Sequence, residues 1–80
     1  MYRTRLCPYC LLAKRLLEKK GVELTEVDVS GDREQRRWLL EATGRRTVPQ
    51  IFVAGRPIGG YDDLCRLERA GKLDRVLRGE

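Results

Sequence analysis

Eighty residues, 41% hydrophobic and 36% charged, make one small soluble domain spanning 1–80, with room for a single contiguous core and no second domain. No apolar run approaches the ~18 residues of a membrane span, and Arg3, Arg5 and Cys7 follow Met1 too quickly for the apolar stretch of a signal peptide. A net charge of +5 permits weak attraction to anions, but the basic residues are spread over several segments and aromatics total only five, which makes nucleic acid a poor partner. Three cysteines, an odd number, oppose a disulfide-stapled secreted scaffold and favour thiols that work in a reducing compartment, by default the cytoplasm.

Met1–Arg5 reads as a short strand feeding a turn at Cys7. Cys7-Pro8-Tyr9-Cys10 then opens a helix: Pro8 suits the first helical position, where its fixed φ fits and its missing N–H costs nothing. Cys7 therefore sits at a helix N-terminus, where unpaired N–H groups and the positive end of the dipole favour a thiolate over a thiol. It is the expected nucleophile. Cys10, one turn further in, is placed to attack a mixed disulfide formed on Cys7 and is the expected resolving thiol. The same spacing is also half of a zinc site, but such a site needs four ligands, and the chain offers only Cys65 as a third thiol and no histidine.

The helix runs to about Lys20, with Leu12, Ala13, Leu16 and Leu17 as its apolar stripe, Lys14, Arg15 and Lys19 outward, and Gly21 as its stop. Val22–Val29 is rich in β-branched residues and reads as a strand, closed by Ser30-Gly31-Asp32. Asp32 with Gln35 resembles a capping box opening a second helix that carries Trp38, Leu39, Leu40 and Ala42 to Gly44, with the Trp38 ring against the core. Thr47-Val48-Pro49 leads into a strand at Gln50–Ala54, then Gly55-Arg56 as a two-residue turn and a brief strand at Pro57-Ile58, which is a hairpin. Gly59-Gly60 breaks the chain before Asp62-Asp63, whose carboxylates suit the first turn of a third helix ending at Gly71; a last helical turn spans Leu73–Leu77. Taken alone, Asp62 reads equally as an N-cap. The order is β-α-β-α-β-β-α with a final turn, an α/β protein.

Cys7-Pro8-Tyr9-Cys10, Thr47-Val48-Pro49-Gln50-Ile51-Phe52 and Ile58-Gly59-Gly60-Tyr61-Asp62-Asp63-Leu64, in this order, resemble the motifs of a dithiol glutaredoxin, and the resemblance covers Tyr2 to about Leu77. It implies a thioredoxin fold, a four-stranded mixed sheet flanked by helices, with Cys7 at the tip of the first helix and a cis Pro49 facing it. It further implies glutathione-dependent thiol–disulfide exchange, reducing protein disulfides and glutathione mixed disulfides, with glutathione a cosubstrate and no bound cofactor. Val48 would pair its backbone with the substrate cysteine, strand to strand. Gly60-Tyr61-Asp62 would hold the γ-glutamyl carboxylate on backbone N–H groups while Asp62 takes the α-amino group. Arg36 and Arg46 match the positions that meet the glycine carboxylate, Tyr9 and Thr47 would wall the substrate groove, and Cys65 lies outside every motif as a half-buried small residue. A monomer is expected.

Two departures stand out. Thr4 occupies the place, three before the first cysteine, where the family usually has lysine, and Arg3 and Arg5, its strand neighbours, point to the opposite face, so neither simply replaces it. Only Met1 precedes Tyr2, so a first-strand stub of three to five residues is expected, with its neighbours paired over part of their length. Two other readings remain open: a thioredoxin-like hydrogen donor reduced by a flavoprotein reductase, and a glutathione-ligated [2Fe–2S] carrier. Leu6 in place of a tryptophan before the motif opposes the first, and Pro8 in place of a smaller residue opposes the second.

Overall fold

Helix α1 (Pro8–Lys19) starts where its sequence dictates, with Cys7 as N-cap in extended conformation and Pro8 as its first residue. It ends at Lys20, and Gly21 follows at φ +74°, a left-handed conformation that only glycine adopts without strain. The buried face is Cys10, Ala13 and Leu17, spaced three and four apart. Leu12, expected on that face, is 39% exposed, because centring the stripe on Cys10 turns it to the edge. The computed structural model describes residues 1–79.

Asp32 Oδ1 accepts the Gln35 N–H at 3.0 Å and caps α2 (Arg33–Thr43); the helix closes on Gly44 at φ +74°, whose N–H donates to the Leu40 carbonyl at 2.7 Å. Leu39 is the residue α2 buries. Trp38 does not lie in the core: it is 46% exposed, and its ring joins a surface trio with Tyr2 (5.7 Å) and Phe52 (5.9 Å). Burial of α2 through Leu39 leaves the preceding residue, a turn of about 100° away, at the rim.

Strand β1 (Tyr2–Arg3) is shorter than the expected stub, yet it is interior. One side runs parallel to β2 (Val27–Asp28), with Val27 and Val29 N–H groups donating to the carbonyls of Met1 and Arg3. On the other side Tyr2 and Gln50 exchange both backbone hydrogen bonds, at 2.8 and 3.0 Å. That single bridge joins the β1/β2 pair to the antiparallel pair of β3 (Ile51–Val53) and β4 (Arg56–Gly59), so the four strands of the expected sheet meet through a seam one residue pair wide. β2 is much shorter than Val22–Val29 because β1 offers it nothing further to pair with; Val22 and Leu24 pack on the core from irregular chain instead. Val53 pairs with Arg56, so the hairpin turn is Ala54-Gly55, one residue earlier than expected. Both have positive φ, +51° and +81°, the signature of a type I′ turn.

Helix α3 (Tyr61–Arg69) follows β4, and α4 (Leu73–Leu77) follows α3. Met1, Ala13, Leu17, Ile51, Leu64 and Leu73 form the core, drawn from β1's entry, α1, β3, α3 and α4. At roughly 1.5–3 kcal/mol per fully buried large apolar side chain, this contact set clamps α1 against α3. It fixes the α1 N-terminus beside the α3 N-terminus, and the two helix starts frame the site.

Candidate active site

The Cys7 Sγ accepts the Cys10 N–H at 3.2 Å, the side-chain cap that its N-cap position allows. It also lies 3.6 Å from the Val48 carbonyl oxygen, to which its S–H donates. Cys7 is half-buried and Cys10 is 3% exposed; both are free thiols. Burial pushes the Cys10 thiol up to about 12, with hydrogen bonding to Cys7 acting in the same direction. The two sulfurs are thus unequal by position: an accessible one at the helix tip, and an inner one held protonated.

The Val48-Pro49 peptide bond is cis, as the family resemblance implied. Pro49 is buried, while the Val48 N–H meets no acceptor among the described residues. Val48 and Pro49 share a groove of about 270 Å³ with Tyr9, Thr47, Gly60, Tyr61, Asp62 and Asp63. The Tyr9 and Tyr61 rings, 6.1 Å apart, close one wall. Gly60 is needed for the approach of this wall to the next, since a Cβ there would stand 3.2 Å from the Pro49 carbonyl oxygen. Seven of the nine expected substrate-binding residues therefore converge.

Gly60, not Asp62, is the N-cap of α3. Tyr61 and Asp62 are its first two residues, whose N–H groups have no intrahelical acceptor, and the Asp62 carboxylate stands exposed at the groove rim. The structural duty falls on Asp63, which the sequence reading left out of the site. Its Oδ2 accepts the Gly60 N–H at 2.9 Å and Arg45 Nη1 at 2.6 Å, and its Oδ1 accepts Arg66 Nη1 at 3.2 Å. Arg45, followed by the Gly60 N–H, holds the Asp63 carboxyl below the usual carboxylate range. Gln50 Nε2 donates to the Arg45 carbonyl at 2.9 Å, so one chain of polar contacts ties β3's entry to the α3 cap. Asp three residues after the cap was a legible signal for this role; Arg45 had none, because its partner is 18 residues away.

Arg36 and Arg46 do not reach the groove beside Pro49. They line a separate one with Arg37 and Leu40, on the α2 side. Thr4 borders the grooves on both sides of the Cys7 turn. Arg3 cannot stand in for the absent lysine, since Glu26 holds it at 3.0 Å and holds Lys14 at 3.2 Å. Among the described residues no cluster of three or more metal-ligating side chains occurs, and no helix is long and apolar enough to cross a membrane.

An accessible thiol at a helix start, a buried partner one turn in and a Val-Pro carbonyl facing them, on a thioredoxin fold, define a thiol–disulfide oxidoreductase. The family model described as Glutaredoxin matches residues 1–58. A glutaredoxin of Pseudomonas aeruginosa is 49% identical over 77 residues, covering 96% of this chain and 92% of the relative, and glutaredoxin 3 of Escherichia coli K12 is 44% identical over 78 residues, covering 98% and 94%. Among solved structures, a buckwheat glutaredoxin–glutathione complex superposes with TM-score 0.89 at 31% identity over 98% of this chain and 74% of that one. Glutaredoxin from Brucella melitensis does so with TM-score 0.84 at 49% identity over 95% and 83%. The chain belongs to the glutaredoxin family, and it is a glutathione-dependent thiol–disulfide oxidoreductase.

Proposed function

We propose that Cys7 is the nucleophile and Cys10 the resolving thiol, on one domain spanning 1–80, acting as a monomer in the cytoplasm. The observation that carries the assignment is the Cys7 Sγ beside the Val48 carbonyl, at the mouth of the groove whose far end is the α3 start. Cys7 thiolate attacks one sulfur of a substrate disulfide; a Cys7–substrate disulfide forms and the other sulfur leaves as a thiolate. Cys10 then gives up its proton to solvent and attacks Cys7 Sγ, closing the Cys7–Cys10 disulfide and releasing the second substrate thiolate. Two glutathione molecules restore the dithiol and leave as glutathione disulfide. When the mixed disulfide on Cys7 is with glutathione itself, a second glutathione resolves it and Cys10 is not required.

Glutathione fits the groove as a peptide. The free Val48 N–H and its carbonyl pair with the cysteinyl backbone, after the Cys7 thiol has let go of that carbonyl. The N–H groups of Tyr61 and Asp62, at the positive end of α3, take the γ-glutamyl carboxylate, and the Asp62 carboxylate takes the α-amino group. Tyr9, Thr47 and Pro49 wall the groove. The glycine carboxylate extends past Thr47 toward Arg46, which must swing out of the separate groove that it lines with Arg36 to meet it. That glutathione occupies the buckwheat relative supports this reading.

The test is turnover of a small glutathione mixed disulfide, coupled to glutathione reductase and NADPH, for wild type beside Cys7→Ser and Cys10→Ser. Cys7→Ser loses all activity; Cys10→Ser keeps this reaction and loses part of the reduction of dithiol protein disulfides. Full activity in Cys7→Ser would rule the mechanism out, and turnover supported only by a thioredoxin reductase would replace it with the thioredoxin-like one.

A further inference from the structure

The charge around the Cys7 turn is lopsided. On the α1 side, Arg3 and Lys14 are both engaged by the single Glu26 carboxylate, which leaves that trio with one net positive charge. On the α3 side the rim carries the Asp62 carboxylate, while Asp63 is committed to Arg45 and Arg66. The α2 side is different. There Arg5 and Arg36 line one groove with Leu6, and Arg36, Arg37 and Arg46 line the next, so Arg36 borders both, while Arg5 and Leu6 also line the α1-side groove that includes Cys7. None of these four arginines has a carboxylate within ion-pair distance among the described residues, although the Asp28 carboxylate, which accepts the Ser30 N–H at 2.8 Å, is close enough to feel the charge of Arg5.

On α2, Arg33, Arg36, Arg37 and Leu40 follow one stripe at i, i+3, i+4 and i+7, and Glu34, Trp38 and Glu41 follow the next, so that Arg37 stands at the edge beside Glu34 and Glu41 without an ion pair to either. The N-cap carboxylate of Asp32 is occupied by the Gln35 N–H. Between the α1-side and α2-side grooves Leu6, the residue before the nucleophile, is 96% exposed. A leucine left wholly in water next to a reacting sulfur is free to pack on an incoming chain.

From this arrangement we infer that the surface from Leu6 along Arg5, Arg36 and Arg37, across the two grooves that Arg36 borders, is a docking surface for protein substrates whose disulfide is flanked by acidic residues, with an apolar residue at Leu6. The inference rests on Cys7 attacking protein disulfides as proposed above. A glutathionyl group on Cys7 would lie toward Asp62; a protein substrate, longer and extending in both directions from the sulfur, reaches the α2 side as well. Carboxylates there meet guanidinium groups that make no ion pair of their own, with Asp28 the carboxylate felt by Arg5, and the field of several like charges raises the rate of encounter.

The experiment is single-turnover and contains no glutathione. Pre-reduced protein is mixed with three disulfide-linked peptides that differ only in the residues flanking one cysteine, Asp/Glu, Ser or Lys, and the second-order rate of thiol release is followed for wild type and for the Arg5→Gln/Arg37→Gln variant. Wild type attacks the acidic peptide about three- to tenfold faster than the serine peptide, which in turn exceeds the lysine one, and the gap narrows at high salt. In the variant the three rates converge on the wild-type serine value. Equal rates for acidic and serine peptides in wild type overturn the inference, as does a preference that survives in the variant or a variant equally slowed toward the serine peptide. No attack on any peptide by wild type would instead refute the protein-disulfide reading on which the inference rests, and so separates the two failures.

Discussion

Removing the Asp63 carboxylate tests whether the α3 start is built as described. Its Oδ2 holds the Gly60 N–H at 2.9 Å, and the side chain is 21% exposed. Loss of such a cap costs ~0.5–2 kcal/mol; the ion pairs to Arg45 and Arg66 involve solvent-exposed guanidinium groups and add little. Asp63→Ala is therefore expected to lower the urea midpoint by about 0.5–2 M, given an m-value of about 1 kcal/mol per M for a chain of this size. Asp63→Asn keeps an acceptor for Gly60 and falls less than half as far. The sign of the pH dependence is set by the depressed carboxyl: its contribution is present above the unfolded value of ~3.9 and is lost as pH falls through the lower folded one. The gap between wild type and Asp63→Ala thus closes in acid. In turnover, the apparent KM for glutathione rises more than kcat falls, because the loosened element carries Tyr61 and Asp62. An Asp63→Ala midpoint equal to wild type at pH 7 would refute the capping assignment and the link it makes between β3's entry and the groove.

Gly59→Ala combines a φ of +109° with a Cβ placed against the Asp63 carboxyl, so a loss of about 1–3 kcal/mol is expected in chemical denaturation; an unchanged midpoint would contradict the geometry. Leu64→Ala, at a fully buried core position between α1 and α3, costs ~2–5 kcal/mol, a large part of the stability of a small domain. The Cys10 thiol, buried and pushed up to about 12, stays protonated while an unfolded cysteine ionises near 8.5, so its stabilising share is whole below ~8.5 and is lost as pH climbs toward the folded value. Reduced wild type should lose stability between pH 8.5 and 10.5 more steeply than Cys10→Ser. Iodoacetamide at neutral pH should label Cys7 well before Cys10, as mapped by mass spectrometry of the digested protein; equal labelling of both would show that the inner thiol is not sequestered.

Local chemistry made most of the helical frame legible in the sequence. Pro8 with Cys7, Asp32 with Gln35, Gly21 and Gly44 act within one turn of chain, so each helix end they set is where it was expected. The unequal exposure of the two sulfurs also follows from position along a helix. Strand length was not legible, because a strand lasts only as far as its neighbour does: β2 shrank to Val27–Asp28 once β1 was limited to Tyr2–Arg3. The turn at Ala54-Gly55 was settled by the Val53–Arg56 pairing, which no local preference of Gly55 specifies.

The motifs around Pro49 and Gly60 marked the groove, and six of the residues expected from them meet there, with Tyr9 from the cysteine motif as a seventh. What the chain alone determined is the chemistry available: two thiols at a helix start, a Val-Pro segment, and a glycine-led helix with open N–H groups. Tertiary structure decided which charges that chemistry meets. It bound Asp63 to Arg45 across 18 residues, turned Arg36 and Arg46 into a groove with Arg37, and left Asp62 alone at the rim. Charge–charge contact depends on distance in space, and sequence separation says nothing of it once α1, α2 and α3 have packed.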